Sequence, residues 1–181
     1  MANRLNGQHV TIGYGDHVIV DNLDVEIPDG KVTSIIGPNG CGKSTLLKAL
    51  SRLLSVKGGE ITLDGKNIHT QSTKEIAKKI AILPQSPDVA DGLTAGELVS
   101  YGRFPHQKGF GRLSAEDKAE IDWALKVTCT YDFKHRAIND LSGGQRQRVW
   151  IAMALAQKTD IIFLDEPTTY LAVSYTHLTL P

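Results

Sequence analysis

The sequence predicts an α/β fold with a largely parallel sheet, an antiparallel β subdomain at the N-terminus and a helical insertion. Three observations support this prediction. Short apolar strand patterns alternate with helical patterns, a glycine-rich loop joins one such strand to a helix, and the middle of the chain changes to helical patterns. The length of 181 residues suits one domain, because single domains commonly contain ~150 residues.

The composition excludes several classes of protein. The chain has 20 basic and 20 acidic residues, whereas a dedicated nucleic-acid binder usually carries a basic excess. Its 41% hydrophobic and 22% charged residues are typical of a globular protein. Two cysteines are too few for a disulfide scaffold and suit a reducing compartment. The sequence has neither a run of ~18 apolar residues nor an apolar N-terminal signal, so we expect a cytoplasmic protein that acts at a membrane only through a partner.

Alternating apolar and polar residues predict β-strands in the first thirty residues. The patterns cover residues 9–13, 18–20 and 23–27. A Gly-Asp turn at 15–16 separates the first two strands, and Pro28-Asp29-Gly30 ends the third. We therefore expect the antiparallel region here.

The following residues alternate strand and helix patterns. The apolar run 32–36 predicts a buried strand, and leucines at helical spacing predict a helix over 44–54. Further strands are predicted at 60–63, 80–83 and 161–164, and further helices at 76–79, 95–101, 115–127 and 142–156. Ser114 and Asp117 have the spacing of a capping box before the helix at 115–127. The patterns from about 86 to 140 predict a helical insertion.

A glycine-rich loop gives the strongest local indication of function. Residues 37–45 fit the phosphate-loop pattern G-x-x-x-x-G-K-[ST], between a predicted strand and a predicted helix. Glycines let backbone N–H groups wrap around a polyphosphate, and the helix N-terminus adds partial positive charge. We expect Lys43 to reach the β and γ phosphates and the Ser44 hydroxyl to bind Mg²⁺. The expected ATP-binding residues are Gly37, Pro38, Asn39, Gly40, Cys41, Gly42, Lys43, Ser44 and Thr45.

A second pattern, an apolar strand that ends in two acidic residues, is typical of the Walker B motif. The strand at 161–164 is followed by Asp165, which we expect to bind Mg²⁺, and by Glu166, which we expect to polarise water against the γ-phosphate. Alone, this pattern also fits a strand that simply leaves the core. Together with a phosphate loop, it indicates nucleotide hydrolysis.

A third motif precedes the helix predicted at 142–156. The string Leu141-Ser142-Gly143-Gly144-Gln145 begins with a strong N-cap residue after the leucine, and its glycines permit close approach of a backbone or ligand. An ordinary capped helix would explain the serine alone. The full string is on the order of a one-in-a-million occurrence per position, from typical residue frequencies.

With these motifs in this order, residues 8–171 resemble the ATP-binding subunit of an ABC transporter. The resemblance implies one domain over 1–171 with a P-loop NTPase core and a helical subdomain at about 86–140. It implies that Tyr14 stacks on adenine, and that Gln85 contacts both Mg²⁺ and the attacking water. It further implies Glu166 as the catalytic base, Ser44, Gln85 and Asp165 as Mg²⁺ ligands, and Leu141, Ser142, Gly143, Gly144 and Gln145 as the signature that contacts ATP on a second subunit.

The same resemblance implies an assembly and a location. Two copies of the chain would pair head to tail around two ATP molecules, each with Mg²⁺, and hydrolysis would release the closed dimer. The helical insertion would dock on integral-membrane permease subunits, which places the chain at the cytoplasmic face of a bacterial cell membrane. No nucleic-acid partner is implied.

Residues 102–106 favour one branch of the family. Gly102-Arg103-Phe104-Pro105-His106 resembles importers of ferric siderophores, haem and cobalamin, and we favour ferric siderophores among these. The alternative for Arg103 and His106 is that they simply form a polar docking surface. We do not expect His106 to bind a metal, because no second ligand lies at suitable spacing. We expect Trp123 and Trp150 to be packing residues.

The end of the sequence departs from the family pattern. Ala172 stands where the family has an aspartate, and residues 172–181 alternate like a strand where a helix is expected. His177 follows Glu166 too closely to be the family's later histidine. We therefore expect residues 172–181 to be a non-native tail and the C-terminal part of the domain to be missing. Sequencing of the genomic locus would test this.

Several alternative functions stay open at this point. A truncated, non-catalytic nucleotide-binding fragment would carry the same motifs, and an ATPase assay separates it from an active subunit. Haem or cobalamin uptake is a second alternative. A soluble ABC ATPase of DNA repair or translation is less well supported, because the chain has no heptad pattern and only one set of motifs.

Overall fold

The computed structural model describes residues 3–85, 92–107 and 112–166. The chain divides into two compact units, Met1–Ile76 and Ala77–Pro181. The first holds an antiparallel sheet with a helix, and the second holds most of the helices and a short parallel sheet. The α/β class, the N-terminal antiparallel sheet and the helical middle are therefore as predicted.

The first unit is built on a four-stranded sheet. Strands β1 (Asn3–Tyr14) and β2 (His17–Pro28) form a long hairpin around the turn at 15–16. β3 (Gly58–Leu63) pairs with β1, and the short β4 (Lys66–Asn67) gives the order β2-β1-β3-β4. The strands predicted at 18–20 and 23–27 are parts of β2, because the ladder continues through a bulge near Asn22, whose φ is 49°.

Helix α1 (Lys43–Leu50) packs against β1 and ends before the predicted boundary at residue 54. Arg52 adopts a left-handed φ of 66°, and the N–H groups of Leu53 and Leu54 both donate to the Lys48 carbonyl. This turn ends the helix, so Leu53 is exposed instead of continuing the apolar face. The buried residues of the helix are Thr45, Leu46, Leu47, Ala49 and Leu50.

Two other predicted elements differ from the structure. The prediction of a buried strand at 32–36 is wrong, since these residues have no strand assignment and Val32 and Ile36 are 97% and 92% exposed. A parallel-sheet strand needs hydrogen-bonded neighbours, and no described segment forms a ladder with this run. The helix predicted at 76–79 is α2 (Thr73–Ala77), because the Ser72 hydroxyl accepts the Glu75 N–H and starts the helix earlier.

The second unit contains the parallel pair that the sequence predicts. β5 (Ile80–Leu83) and β6 (Ile161–Leu164) lie side by side in the same direction, with Leu83 opposite Leu164. The helices are α3 (Ala95–Ser100), α4 (Ala115–Val127) and α5 (Gly143–Ala156), with 3₁₀ turns at Tyr101–His106, Tyr131–Phe133 and Ile138–Asp140. The predicted bounds of α4, its capping box and the end of α5 are confirmed.

Helix α5 lies in the core of the second unit and packs against both α3 and α4. Its small residues let the neighbouring helices approach closely, as Ala152 and Ala156 are fully buried. The buried apolar residues contributed by the three helices include Leu98, Val99, Ile121, Leu125, Val149 and Trp150. The predicted packing role of Trp150 is therefore confirmed, whereas the Trp123 side chain is 47% exposed and lines a surface groove with Leu155 and Ile162.

Candidate nucleotide-binding site

The glycine-rich loop leads directly into α1. Gly42 is the N-cap residue with a left-handed φ of 96°, which a side chain would strain. A Cβ at this position would lie 2.9 Å from Ile19 and 3.0 Å from Val20 of β2. Among the described side chains none caps this helix, and its first turn carries no acidic residue. The backbone N–H groups at the start of the helix point along its axis and are therefore suited to an anion.

The ammonium group of Lys43 lies over its own loop. Its Nζ donates to the carbonyl oxygens of Gly37 at 2.9 Å and Pro38 at 2.8 Å. These contacts hold the positive charge beside the N-terminus of α1 rather than in open solvent. A bound phosphate would offer the same ammonium a charged acceptor, which makes a stronger hydrogen bond than a neutral carbonyl.

Tyr14 lies at the same end of the β1–β2 hairpin as the loop. It pairs with His17, two residues before Ile19, which borders Gly42. Its side chain is 47% exposed, so a ring face is accessible to an aromatic ligand. The arrangement of the first unit thus groups Tyr14 with residues 37–45, and the contact with adenine stays a prediction.

In the second unit, the acidic residues follow the parallel strands. The Asp165 N–H donates to the Leu83 carbonyl at 3.0 Å, which extends the ladder one step beyond β6. Asp165 is 7% exposed, whereas the next residue, Glu166, is exposed and has a left-handed φ of 46°. The Gln85 amide, which follows β5, donates to Glu166 Oε2 at 2.5 Å.

The signature string begins α5 with a complete capping box. The Ser142 hydroxyl accepts the Gln145 N–H at 3.3 Å, and the Gln145 side chain accepts the Ser142 N–H at 2.9 Å. Leu141 is buried, while Ser142 and Gly143 are exposed at the helix start. The string is thus anchored by its leucine and presents its serine and glycine at the surface. Its contact with a second subunit's ATP stays a prediction.

A buried polar network that the sequence patterns did not predict lies at the other end of α5. Arg103 is 2% exposed and donates to Asp117 at 2.9 Å and to the Ala156 carbonyl at 2.8 Å. His106 Nε2 lies 2.7 Å from the Gln157 carbonyl oxygen. The alternative of a polar docking surface therefore does not hold for Arg103, because it is buried and binds the last carbonyl group of α5, while His106 lies against the carbonyl of the C-cap residue Gln157.

The network continues to the parallel sheet. The Gln157 side chain donates to the carbonyl oxygens of Ala77 at 2.6 Å and Ile80 at 3.0 Å, the latter in β5.

The sequence spacing contained one signal for this network. Arg103 and His106 are three residues apart, so they share one face of a 3₁₀ helix. On the outer face of the same turn, Tyr101 and Phe104 stack with ring centroids 4.9 Å apart.

Burial and hydrogen bonding act in opposite directions on Asp117. Burial by itself raises the pKa of its carboxyl group. The hydrogen bonds from Arg103 and from the Ser114 backbone and hydroxyl outweigh burial, so the pKa of Asp117 lies below its usual value. The carboxylate is therefore charged at neutral pH and serves both the ion pair and the N-cap of α4.

The predicted magnesium ligands match the preference of that ion. Ser44, Gln85 and Asp165 offer hydroxyl, amide and carboxylate oxygens, and Mg²⁺ binds through one or two carboxylates together with phosphate oxygens. No group of three or more His, Cys, Asp or Glu side chains in the described ranges could hold a metal by itself. The donor set thus fits a metal that arrives with a nucleotide. These ligands draw on both units, and the site stays a prediction.

Comparison with known protein families and solved structures gives consistent matches. The model of the family described as ABC transporter matches residues 20–169. A solved structure of the ADP conformation of an ATP-binding cassette of an ABC transporter has a TM-score of 0.80 and 25% identity, over 95% of this chain and 72% of that chain. None of the helices in the described ranges has the length and apolar character needed to cross a bilayer.

Curated relatives are similar along almost the whole sequence. The iron(3+)-hydroxamate import ATP-binding protein of Bacillus subtilis (strain 168) is 59% identical over 173 residues, which is 96% of this chain and 64% of the relative. The ferric enterobactin transport ATP-binding protein of Escherichia coli (strain K12) is 49% identical over 172 residues, which is 95% of this chain and 64% of the relative. The chain thus spans less than two thirds of the length of these relatives.

Proposed function

The chain belongs to the ABC transporter family, and from this premise we propose that it binds ATP with Mg²⁺ and contributes to the ATP hydrolysis that energises an importer. The observation that carries the proposal is the phosphate loop. In the first unit, the start of α1 has no side-chain cap, and Lys43 lies over the loop backbone. This arrangement suits the terminal phosphates of a nucleotide.

The proposed chemistry assigns separate roles to the loop and to the strand ends. Residues 37–45 bind the phosphates and Tyr14 stacks on adenine. Ser44, Gln85 and Asp165 would hold Mg²⁺, which would supply positive charge that stabilises the charge on the phosphates. Glu166 accepts a proton from water, the water oxygen bonds to the γ-phosphorus, and the bond from that phosphorus to the ADP oxygen breaks. The position of Glu166 beside Gln85 at the end of β6 supports this assignment.

The proposal includes the partners of the chain. Two copies would pair so that the signature at 141–145 of one contacts ATP on the other, and permease subunits would hold the pair at the cytoplasmic face of the membrane. The exposure of Ser142 and Gly143 supports a role in contacting a ligand on another chain. The names of the relatives support ferric siderophores, with hydroxamates first, as the imported cargo.

Titration with a fluorescent ATP analogue and Mg²⁺ tests nucleotide binding. We expect Lys43→Ala to weaken binding at least tenfold, since it removes a charge-assisted contact worth about 1.5–3 kcal/mol. Lys48→Ala is the matched control, because Lys48 is an exposed residue on the same helix. Equal affinities for Lys43→Ala and the unchanged chain would refute the proposed site.

Uptake of radioactive iron by the source organism tests the cargo. Deletion of the gene should abolish uptake of a ferric hydroxamate, and expression of the Glu166→Gln variant should fail to restore it. A ferric catecholate, haem and cobalamin serve as the comparison cargoes. Loss of haem or cobalamin uptake with normal hydroxamate uptake would replace the proposed cargo.

A further inference from the structure

We propose that Arg103, His106 and Gln157 are positioning residues, which fix the signature at the start of α5 relative to the ends of β5 and β6. We call these three side chains the α5 anchor. The inference rests on the proposed function, because the signature, Asp165 and Glu166 take their roles from it.

The α5 anchor joins the end of the helix to two neighbouring segments. Arg103 Nη1 donates to the Ala156 carbonyl at 2.8 Å, and His106 Nε2 lies 2.7 Å from the Gln157 carbonyl oxygen. The Gln157 amide in turn donates to the carbonyl of Ile80, the first residue of β5, at 3.0 Å. The end of α5 is therefore held by the 3₁₀ turn at Tyr101–His106 and by the beginning of β5.

Both parallel strands begin at this place. The Ile161 N–H donates to the carbonyl of Lys79, the residue directly before β5, so the first residues of the two strands lie side by side. The strands then run together to the end of β6, which Asp165 and Glu166 follow. One end of each element thus lies at the α5 anchor, whereas the signature and the acidic residues lie at the far ends.

The length of α5 makes its direction important. Its 14 residues place the two ends ~21 Å apart, at ~1.5 Å per residue. A tilt of ~10° at the anchored end would therefore move the signature by ~4 Å. The capping box at the signature joins Ser142 to Gln145 within the same helix start, so it does not fix the direction of the helix.

The proposed pairing of two copies gives this distance a function. The signature of one copy would contact ATP on the other copy, whereas Asp165 and Glu166 would act on ATP of their own copy. The distance between these groups within one chain must therefore suit both ATP molecules at once. Because reacting groups tolerate misplacement by only ~1 Å, a loosened anchor would impair hydrolysis.

Pulsed electron spin resonance measures the distance directly. One nitroxide label is attached at Asp140→Cys, the exposed residue before the signature, and the other at Leu164→Cys, an exposed position at the end of β6. The full chain also carries Cys41→Ser and Cys129→Ser, so that only the two introduced thiols react. Gln157→Met keeps the length of the side chain but removes the amide donor.

We expect Gln157→Met to shift or broaden the distance distribution by at least about 3 Å. Leu125→Ala, which removes a buried side chain of α4 outside the α5 anchor, is the control for lost stability and should leave the distribution unchanged. An unchanged distribution for Gln157→Met overturns the proposal, and so does an equal change in both variants. If Gln157→Met does not fold, His106→Phe decides by the same criterion.

Steady-state ATP hydrolysis connects the position to the proposed function. We expect Gln157→Met to lower kcat at least about tenfold, since misplacement by ~1 Å can cost up to ~100-fold in rate. Its affinity for a fluorescent ATP analogue should not change, because the phosphate loop lies in the first unit. A weaker affinity with unchanged kcat would overturn the positioning role. Failure of the unsubstituted chain to bind or hydrolyse ATP would refute the proposed function, whereas the distance measurement decides the positioning role by itself.

Discussion

The buried ion pair between Arg103 and Asp117 makes the sharpest prediction about stability. Asp117→Ala would leave the Arg103 guanidinium, 2% exposed, without its charged partner. Loss of one member of a buried pair costs about 3–5 kcal/mol, and loss of the N-cap contact of α4 adds about 1 kcal/mol. Because the Ala156 carbonyl still accepts from Arg103, we expect the lower part of that range, about 4 kcal/mol in total.

Urea unfolding followed by tryptophan fluorescence measures this change. Trp150 is 7% exposed in the core of the same unit and reports on its unfolding. With a slope of about 2 kcal/mol per molar urea, the midpoint should fall by about 2 M. Glu116→Ala is the control, since this exposed neighbour should change stability by less than about 1 kcal/mol. Similar midpoints for Asp117→Ala and Glu116→Ala would refute the ion-pair argument.

The lowered pKa of Asp117 gives the same pair a pH dependence. A carboxyl group whose folded pKa lies below its unfolded value stabilises the fold above that value, here 3.8, and loses the contribution as the pH falls through the folded pKa. The stability difference between the unchanged chain and Asp117→Asn should therefore be constant near neutral pH and shrink in acid below 3.8. A difference that grows on acidification would contradict this reasoning.

Three further predictions use the same unfolding assay. Gly102→Ala should destabilise by about 1–3 kcal/mol, because a Cβ there would lie 2.3 Å from the Met153 carbonyl oxygen, and no loss would disprove the close approach. Leu125→Ala should cost about 2–5 kcal/mol while Val127→Ala, at a 46% exposed position on the same helix, costs far less; equal costs would contradict the packing. Ser142→Ala should cost about 1 kcal/mol through loss of the N-cap, and Ser142→Thr should restore most of it.

Local patterns in the sequence predicted much of the fold. The bounds of α4 agree with the structure because Ser114 and Asp117 form a capping box, a signal confined to a few neighbouring residues. The parallel pair of β5 and β6 was likewise recognisable, since both are short apolar runs with clear ends. The run at 32–36 has the same composition but forms no strand, because strand formation depends on a paired neighbour and not on composition alone.

The sequence predicted the motifs of the candidate site but not the contacts that its side chains make. The phosphate loop, the signature and the acidic pair were visible because their chemistry requires fixed spacings in the chain. The contact of Arg103 with the end of α5 joins residues far apart in sequence, so no local pattern could show which groups it binds. The same holds for the Lys43 ammonium, whose carbonyl partners depend on how the loop folds back.

The 3₁₀ turn at Tyr101–His106 has a consequence for how this segment can evolve. Its three-residue repeat turns Arg103 and His106 inward and Tyr101 and Phe104 outward. Insertion of one residue would rotate all following residues by about 120°, so that residues before and after the insertion would no longer share the inward and outward faces. Substitution of Tyr101 or Phe104 can change the surface freely, whereas the contacts of Arg103 and His106 fix the length of the segment. We therefore expect variation here to occur by exchange of side chains and not by insertion or deletion.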